Sequence, residues 1–192
     1  TDLLERDTVR LLKQVGAGEV SIAVETASLR LQKLVQKNLD LDRVWDNIEL
    51  LNAERILTRG FFMLGFPTET EEELLSTISY ACRSKLHLAL FFTVNPFKGT
   101  ALYDTYEELG KLPPNVQNVD YEYYGAPFNG SEVSDRRFRW LYRYAYYRFY
   151  SNPSRALRIL RDRPYRGDIP QRVVNLARNV VSFRRLNDGG KV

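Results

Sequence analysis

Three polar or glycine-containing segments follow three apolar, strand-like runs, and they hold the residues best suited to bind a ligand. Glu25 ends the first run, residues 65–70 (Gly-Phe-Pro-Thr-Glu-Thr) follow the second, and residues 95–100 (Asn-Pro-Phe-Lys-Gly-Thr) follow the third. A lone carboxylate beside a buried strand is costly unless it is paired. We therefore expect Glu25 to have a cationic or hydrogen-bonding partner, and the three segments to gather at one ligand-binding end of a sheet.

The composition excludes several kinds of site. The 192 residues include one cysteine, Cys82, and one histidine, His87. These counts exclude an internal disulfide framework and any multi-cysteine or multi-histidine metal site within this chain. The sequence has neither the long apolar run of a transmembrane helix nor a signal peptide at its start, so we expect a cytoplasmic protein without a transmembrane segment.

Helix and strand patterns alternate along the part of the chain that carries these segments. Apolar periodicity predicts strands near residues 20–25, 60–65 and 88–95. Helical patterns occupy residues 3–15 and 29–37, and two more begin at Asp40 or Asp42 and at Thr70. This order indicates parallel strands joined by crossover helices, in either an open doubly wound sheet or part of a barrel. The apolar runs of the second and third strands favour burial on both faces.

Four longer segments occur in a fixed order: VSIAVETAS from residue 20, KNLDLDRVWDNIELLNAERI from residue 37, FFMLGFPTETEEELLSTI from residue 61 and FFTVNPFKGTALYDTY from residue 91. Together they resemble the second half of a radical S-adenosylmethionine (SAM) enzyme, in particular the Fe–S oxidoreductase branch that contains cobalamin-binding enzymes and methylthiotransferases. The resemblance covers about residues 1–106. Thr68 stands where the family's turn usually has glycine.

The resemblance implies an α/β fold: the C-terminal half of a radical-SAM partial (β/α) barrel with parallel strands over residues 1–111. For the full-length protein it implies SAM and a [4Fe–4S] cluster as cofactors, with cobalamin as a further candidate. The family's C-x-x-x-C-x-x-C motif does not occur in this chain, and Cys82 falls on the apolar side of a predicted helix. We therefore expect a fragment that is inactive alone, whose partner is the missing N-terminal part of the same polypeptide.

The resemblance also implies which residues contact SAM. Glu25 would hydrogen-bond the ribose or the amino group, Ser28 would assist there, and Lys37 would pair with the methionine carboxylate. The residues implied to flank the adenine are Met63, Leu64, Gly65, Asn95 and Pro96. No catalytic residue and no metal ligand is predicted within this chain.

Structural roles compete with these assignments. Glu25 could pair with a neighbouring strand, and Lys37 could face the dipole at the end of a helix. Ser28 is an N-cap under either interpretation. Residues 69–73 read as a solvated first helical turn, with Thr70 and Glu73 forming a capping box. His87 is interpreted as structural or exposed.

The charge is distributed unevenly. Residues 1–130 contain 13 Lys and Arg against 19 Asp and Glu, whereas residues 131–192 contain 15 against 5. Residues 112–130 read as a loop-rich linker, and residues 131–192 as a basic, aromatic-rich helical tail with helices near 138–150, 155–163 and 172–185. We expect the tail's aromatic residues to pack on the body of the protein.

Other readings of the tail stay open. The alternative function is a non-catalytic RNA-binding module that uses the arginines and tyrosines, and an anionic membrane surface is a third use of the tail. The cysteine-containing half could also lie on another polypeptide.

Overall fold

The computed structural model describes residues 4–112 and 128–162. The three strands are β1 (Glu19–Glu25), β2 (Leu57–Leu64) and β3 (Leu88–Thr93). The helices are α1 (Arg6–Gln14), α2 (Leu29–Leu34), α3 (Leu41–Ala53), α4 (Glu71–Arg83), α5 (Ala101–Glu108), α6 (Asp135–Tyr150) and α7 (Pro153–Asp162). The predicted helix at 172–185 and most of the predicted linker lie outside the described residues.

The strands form one parallel sheet in the order β1-β2-β3. α2 and α3 connect β1 to β2, and α4 connects β2 to β3, so each connection is a helical crossover. This arrangement confirms the predicted parallel α/β class and is consistent with a partial (β/α) barrel. All three strands end on the same side, which is called the carboxyl end of the sheet below.

Several predicted element boundaries differ from the structure, among them those of β2 and α2. β2 begins at Leu57, several residues before the apolar run that predicted it. α2 ends at Leu34 and not at Lys37, because Gln36 adopts φ 53° and the Lys37 N–H donates to the Gln32 carbonyl at 2.9 Å. This is a Schellman ending, and it directs Lys37 away from the helix axis.

The predicted N-caps are confirmed. Ser28 Oγ accepts from the Leu31 N–H, and Asp40 caps α3 through the N–H groups of Asp42 and Arg43. Thr70 and Glu73 form the reciprocal capping box at the start of α4. These caps fix where each crossover helix begins after its strand.

One face of the sheet is buried beneath α1, α3, α4 and α6, and residues such as Ile22, Phe62 and Phe91 pack there. The opposite face is only half-buried among the described residues, and Phe61 and Phe92 lie on it with ring centroids 5.9 Å apart. The expectation that both faces of the strands are buried is therefore wrong for the described residues, because these helices pack on one face only.

α6 covers the outer side of β3. The hydroxyls of Tyr142 and Tyr146 donate to the Phe91 carbonyl at 2.7 and 3.0 Å, and the Tyr150 hydroxyl donates to the Ala89 carbonyl at 2.9 Å. The N–H groups of Phe91 and Ala89 donate back to Tyr146 and Tyr150. Tyrosines spaced four residues apart thus satisfy a strand that, among residues 4–112 and 128–162, has no strand partner on that side. The interpretation that the tail's aromatic residues pack on the body is confirmed for α6.

Arg155 joins α7 to the body. Its guanidinium is buried and donates to the carbonyls of Leu86, Phe149, Cys82 and Ser84 at 2.9 to 3.1 Å. Burial lowers the pKa of Arg155 to about 10. Backbone oxygens, and not a carboxylate, therefore compensate for burying this charge.

His87 is fully buried, so of the two alternatives, structural or exposed, the structural one is correct. Its Nδ1 accepts from the Thr58 N–H at 3.0 Å, so the proton lies on Nε2, which faces Asp162 Oδ2 at 3.1 Å. Burial lowers the pKa of His87, and the hydrogen bond with Asp162 opposes that shift only in part. The folded protein therefore favours the neutral imidazole. No helix among residues 4–112 and 128–162 is long and apolar enough to cross a membrane.

The burial of His87 predicts that its contribution to stability decreases in mild acid. Because its pKa is lower in the folded state than in the unfolded state, the unfolded chain takes up the His87 proton first as the pH falls below about 6.5. The contribution of His87 to the free energy of unfolding should therefore be constant just above that pH and decrease below it, by up to about 1.4 kcal/mol per pH unit.

Urea denaturation of the unaltered chain and of the variant His87→Gln, between pH 5 and 7.5, measures this effect. Since His87 is the one histidine of the chain, the difference in the free energy of unfolding between the two proteins isolates its contribution. This difference should be constant above about pH 6.5 and shift against the unaltered chain below it, and a difference that does not change with pH would contradict the assignment.

Candidate functional site

Glu25 and Lys37 come together at the carboxyl end of the sheet. Lys37 Nζ lies 3.1 Å from Glu25 Oε1, and both side chains are partly exposed. Glu25 ends β1, whereas Lys37 is brought there by the Schellman ending of α2. The expected cationic partner of Glu25 is therefore Lys37. The pair presents one anionic and one cationic group next to each other, which suits a zwitterionic or hydroxyl-bearing ligand.

The backbone at Glu25 is strained. Its φ is 66°, and the register between β1 and β2 shifts between Ala23 and Glu25. Residues other than glycine rarely adopt this left-handed conformation, and it costs about 1–3 kcal/mol where they do. Strain of this kind is concentrated at binding and catalytic sites. It therefore favours a functional role for Glu25 over a purely structural one.

Gln32, Thr26 and Thr77 hold the segment that follows Glu25. Gln32 Nε2 donates to the carbonyls of Val24 and Thr26 at 2.8 and 2.6 Å, and it is buried. Thr77 on α4 contacts the Thr26 hydroxyl at 3.1 Å and accepts from the Ala27 N–H at 3.0 Å. These residues were not predicted from the sequence. The signal for them was a glutamine and a threonine on the apolar sides of their helices.

Ser28 uses its hydroxyl within the protein. Ser28 Oγ donates to Glu73 Oε1 at 2.6 Å in addition to capping α2. Arg30 binds the same carboxylate through two nitrogens, at 3.0 and 2.6 Å. Partial burial would raise the pKa of Glu73, but the hydrogen bonds from Arg30 and Ser28 lower it to about 2. Glu73 therefore links the start of α2 to the start of α4 as a permanent anion.

The backbone conformation at Thr68 accounts for the glycine that the family usually has at this position. Its φ is 63°, a conformation that is unfavourable for a β-branched residue. Arg30 donates to the Thr68 hydroxyl at 2.9 Å and to its carbonyl at 2.8 Å. These two hydrogen bonds hold the strained residue in place.

At the end of β2, three consecutive residues lie in different environments: Met63, Leu64 and Gly65. Met63 is half-buried on the more open face of the sheet. Leu64 is fully buried in the main core, and its carbonyl accepts from the Val94 N–H at 3.0 Å. Gly65 donates to Glu69 Oε2 at 2.6 Å, and its carbonyl accepts from the Tyr106 hydroxyl at 2.7 Å. Of the three, Met63 is the residue that is partly exposed, and it packs against the cluster of Leu31, Phe66, Val94 and Tyr106.

Asn95 and Pro96 follow β3 beside this turn. Leu64 pairs with Thr93 in the sheet, so residues 95 and 96 leave β3 next to the point where Gly65 leaves β2. Asn95 is half-buried, and Pro96 is buried. The structure thus brings all eight predicted residues to the carboxyl end of one sheet, although Leu64 and Ser28 are directed into the protein.

Glu69 is buried, contrary to the expectation of a solvated turn. Glu69 Oε2 accepts from the N–H groups of Gly65 and Phe66 at 2.6 and 3.0 Å. Glu69 Oε1 is buried without a hydrogen bond among the described residues. Burial raises the pKa of Glu69 to about 8, and the two N–H groups oppose the shift only in part. At neutral pH the carboxyl is therefore mainly protonated, with the proton on Oε1.

Two cofactors are implied by the resemblance, SAM and a [4Fe–4S] cluster, and the residues present suit only SAM. A cubane cluster is held by cysteine thiolates, and this chain has one cysteine, which is half-buried on α4. No group of metal-binding side chains occurs among residues 4–112 and 128–162. The 192 residues alone therefore do not supply a cluster site. The paired charges of Glu25 and Lys37, beside the open face around Met63, do suit a nucleoside with an amino-acid group.

Comparison with known proteins agrees with this arrangement of a parallel sheet and a polar carboxyl end. The family model described as the radical SAM superfamily matches residues 1–81. The chain is 28% identical over 95 residues to an uncharacterized methyltransferase of Pyrococcus horikoshii, which is 50% of this chain and 21% of that protein. It is 22% identical over 138 residues to a putative methylthiotransferase of Methanocaldococcus jannaschii, which is 72% of this chain and 30% of that protein.

The fold and the site define a parallel α/β unit whose candidate ligand-binding residues lie at the strand ends. The match of the family model over residues 1–81 and the similarity to the two relatives support the radical SAM superfamily. Full-length proteins of this superfamily use SAM and a [4Fe–4S] cluster. The chain spans between about a fifth and a third of the length of these two relatives.

The strain at Thr68 leads to a prediction about stability. Thr68→Gly should be more stable than Thr68→Ala by about 1 kcal/mol, because alanine keeps the steric cost of the left-handed conformation and glycine does not. Both variants lose the same hydroxyl, so the contact with Arg30 Nη1 cancels in the comparison. The urea midpoints of the two variants measure the difference, and equal midpoints would contradict the interpretation.

Proposed function

We propose that this chain forms the nucleoside-binding side of a radical SAM enzyme that transfers a methyl or methylthio group. The proposal is supported mainly by the Glu25–Lys37 pair at the carboxyl end of the sheet, with its 3.1 Å contact and the strained backbone at Glu25. The transfer class is suggested by the names of the two relatives, a methyltransferase and a methylthiotransferase.

Each residue of the pair has a distinct task in this proposal. The Glu25 carboxylate accepts hydrogen bonds from ribose hydroxyls or from the amino group of SAM. Lys37 holds Glu25 in place and offers its remaining N–H groups to the methionine carboxylate. Ser28 acts indirectly, because its hydroxyl is already bonded to Glu73 and caps α2.

Apolar residues complete the proposed site. Met63 and the Phe61–Phe92 pair line the open face of the sheet, where they exclude water from the nucleoside. Gly65 has both backbone groups bonded within the chain, so it contributes shape and not hydrogen bonds to the adenine side. Asn95 and Pro96 form the other wall of that side.

The cofactors supply radical chemistry when SAM is bound to the cluster. Since one cysteine cannot provide the thiolates of that cluster, we propose that these 192 residues alone do not catalyse the reaction and act together with a cysteine-containing part. Cobalamin and a cytoplasmic location stay predictions from the sequence.

Nucleoside binding tests the proposal. S-adenosylhomocysteine should bind the chain, and Glu25→Gln should weaken that binding at least tenfold, because a neutral amide replaces the ionic acceptor. Glu19→Gln is a matched control: Glu19 lies on the same strand and pairs with Arg59 at 2.6 Å with similar exposure, but at the opposite end of the sheet.

Isothermal titration calorimetry measures both affinities, and circular dichroism confirms that the variants fold. Equal losses in the two variants, or no binding by the unaltered chain, would contradict the proposed function.

A second candidate function, RNA binding, is suggested by α6. Arg136, Arg139 and Arg143 lie exposed on the side of α6 that faces away from the core. On the adjacent side Trp140 stacks on Tyr144 with ring centroids 4.9 Å apart, and Arg137 lies 4.5 Å from the Trp140 ring centroid. Because these rings are already stacked on one another, the arginines are the stronger feature, and they favour phosphate contacts over base stacking.

Filter binding with tRNA tests this second function. The affinity should decrease steeply with salt, and replacing Arg136, Arg139 and Arg143 with glutamine should reduce both the affinity and its salt dependence. Absence of binding at low salt, or an unchanged salt dependence in the triple variant, would eliminate it.

A further inference from the structure

The turn that leaves β2, residues 65–69, is held by parts of the chain that are distant in sequence. Glu69 accepts the N–H groups of Gly65 and Phe66 from within the turn. Tyr106 on α5 is fully buried and donates to the Gly65 carbonyl at 2.7 Å. The Glu132 N–H, just before α6, donates to the Glu69 carbonyl at 2.9 Å. The backbone at both ends of the turn is therefore fixed by other elements.

Gly130 fits against this turn because it has no side chain. A Cβ atom there would lie 2.6 Å from the Gly65 carbonyl oxygen and would collide with the Tyr106 ring and hydroxyl. Gly65 itself has φ 90°, and a Cβ there would lie 2.9 Å from the Phe138 ring. The segment before α6 and the turn after β2 are thus in direct contact, with no room for added atoms.

Lys111, just after α5, holds residues 130–132 by hydrogen bonds. Lys111 Nζ donates to the carbonyls of Gly130 and Ser131 at 3.1 Å each, and to Glu132 Oε1 at 2.8 Å. Phe128 packs on Tyr106 with ring centroids 5.4 Å apart. We refer to Tyr106, Lys111 and residues 128–132 as the turn clamp.

We propose that the turn clamp positions the nucleoside-binding end of the sheet, with Tyr106 and Gly130 as its positioning residues. This inference rests on the proposed function, because it assigns the clamp a purpose at that site. The turn lies between Met63 and Asn95, so a shift of the Gly65 backbone would move one wall of the proposed adenine side. The segment that leads into α6 then positions the binding site and is not a separate appendage.

Glu69 makes the clamp sensitive to pH. Ionisation would leave a buried carboxylate whose Oε1 has no hydrogen bond among the described residues. The other charged or titratable groups that act on it are Glu73 on α4, Arg30 on α2 and Tyr106 on α5. Because burial raises the pKa of Glu69 from 4.5 to about 8, opening the turn releases the Glu69 proton at any pH between these two values. Protection of the turn should therefore be greatest below about pH 5 and decrease as the pH rises to about 8.

Hydrogen exchange and nucleoside affinity, measured on the same variants, test the proposal. Tyr106→Phe keeps the ring against Phe128 and removes the donor to Gly65. It should lower the protection factors of the Gly65 and Phe66 amides about tenfold and weaken S-adenosylhomocysteine binding about fivefold. Tyr103→Phe, a half-exposed tyrosine on the same helix, should change neither quantity.

Glu69→Gln adds a readout that a purely structural role would not change. The amide oxygen still accepts both N–H groups, so protection should be retained, and the decrease in protection expected of the unaltered chain between about pH 5 and 8 should disappear. Gly130→Ala should open the turn as Tyr106→Phe does, which provides a second variant if the first is poorly folded. Exchange at Ile22 and Ile48 in the main core reports on the overall fold.

The outcomes separate the clamp from the proposed function. Lower protection together with unchanged nucleoside affinity would overturn the positioning role, and unchanged protection in Tyr106→Phe would overturn the clamp. If the unaltered chain does not bind S-adenosylhomocysteine, the proposed function fails, and the protection factors alone then decide whether the clamp holds the turn.

Discussion

Peptide groups at the carboxyl end of the sheet have no strand beyond them to bond with, and the protein satisfies them with side chains from the helices. Gln32 donates to the carbonyls of Val24 and Thr26 at the end of β1, whereas Glu69 accepts the N–H groups that follow β2. Tyr106 donates to the Gly65 carbonyl, also after β2. A buried peptide group without a partner costs free energy comparable to a lost hydrogen bond. This constraint dictates which polar residues the helices must place at the strand ends.

The same constraint explains why strained backbone gathers at this end. Glu25, Gly65 and Thr68 all have positive φ and lie within or beside the two strand exits. Each of these residues is held by a hydrogen bond or an ion pair from another element. The proposed nucleoside contacts thus depend on residues such as Gln32 and Glu73 that would not touch the nucleoside themselves.

Local patterns in the sequence predicted much of this architecture. The strand periodicity, the Ser28 and Asp40 caps, the Thr70–Glu73 capping box and the parallel α/β class are confirmed. Burial of Glu69 and His87 was not predicted, because their partners lie far away in sequence: the Gly65 turn is enclosed by Tyr106 and Glu132, and His87 bonds Asp162. The four-residue spacing of the α6 tyrosines was visible, but the β3 carbonyls that they bond were not.

Amide chemical shifts of the isotope-labelled chain, recorded during titration with S-adenosylhomocysteine, test the central claim most directly. The account predicts that the largest shift changes cluster at residues 25, 37, 63–65 and 95, all at the carboxyl end of the sheet. It also predicts little change at Glu19 and Leu57, at the opposite end of the same strands. Shift changes confined to α6 and α7, or centred on the amino ends of the strands, would contradict the account.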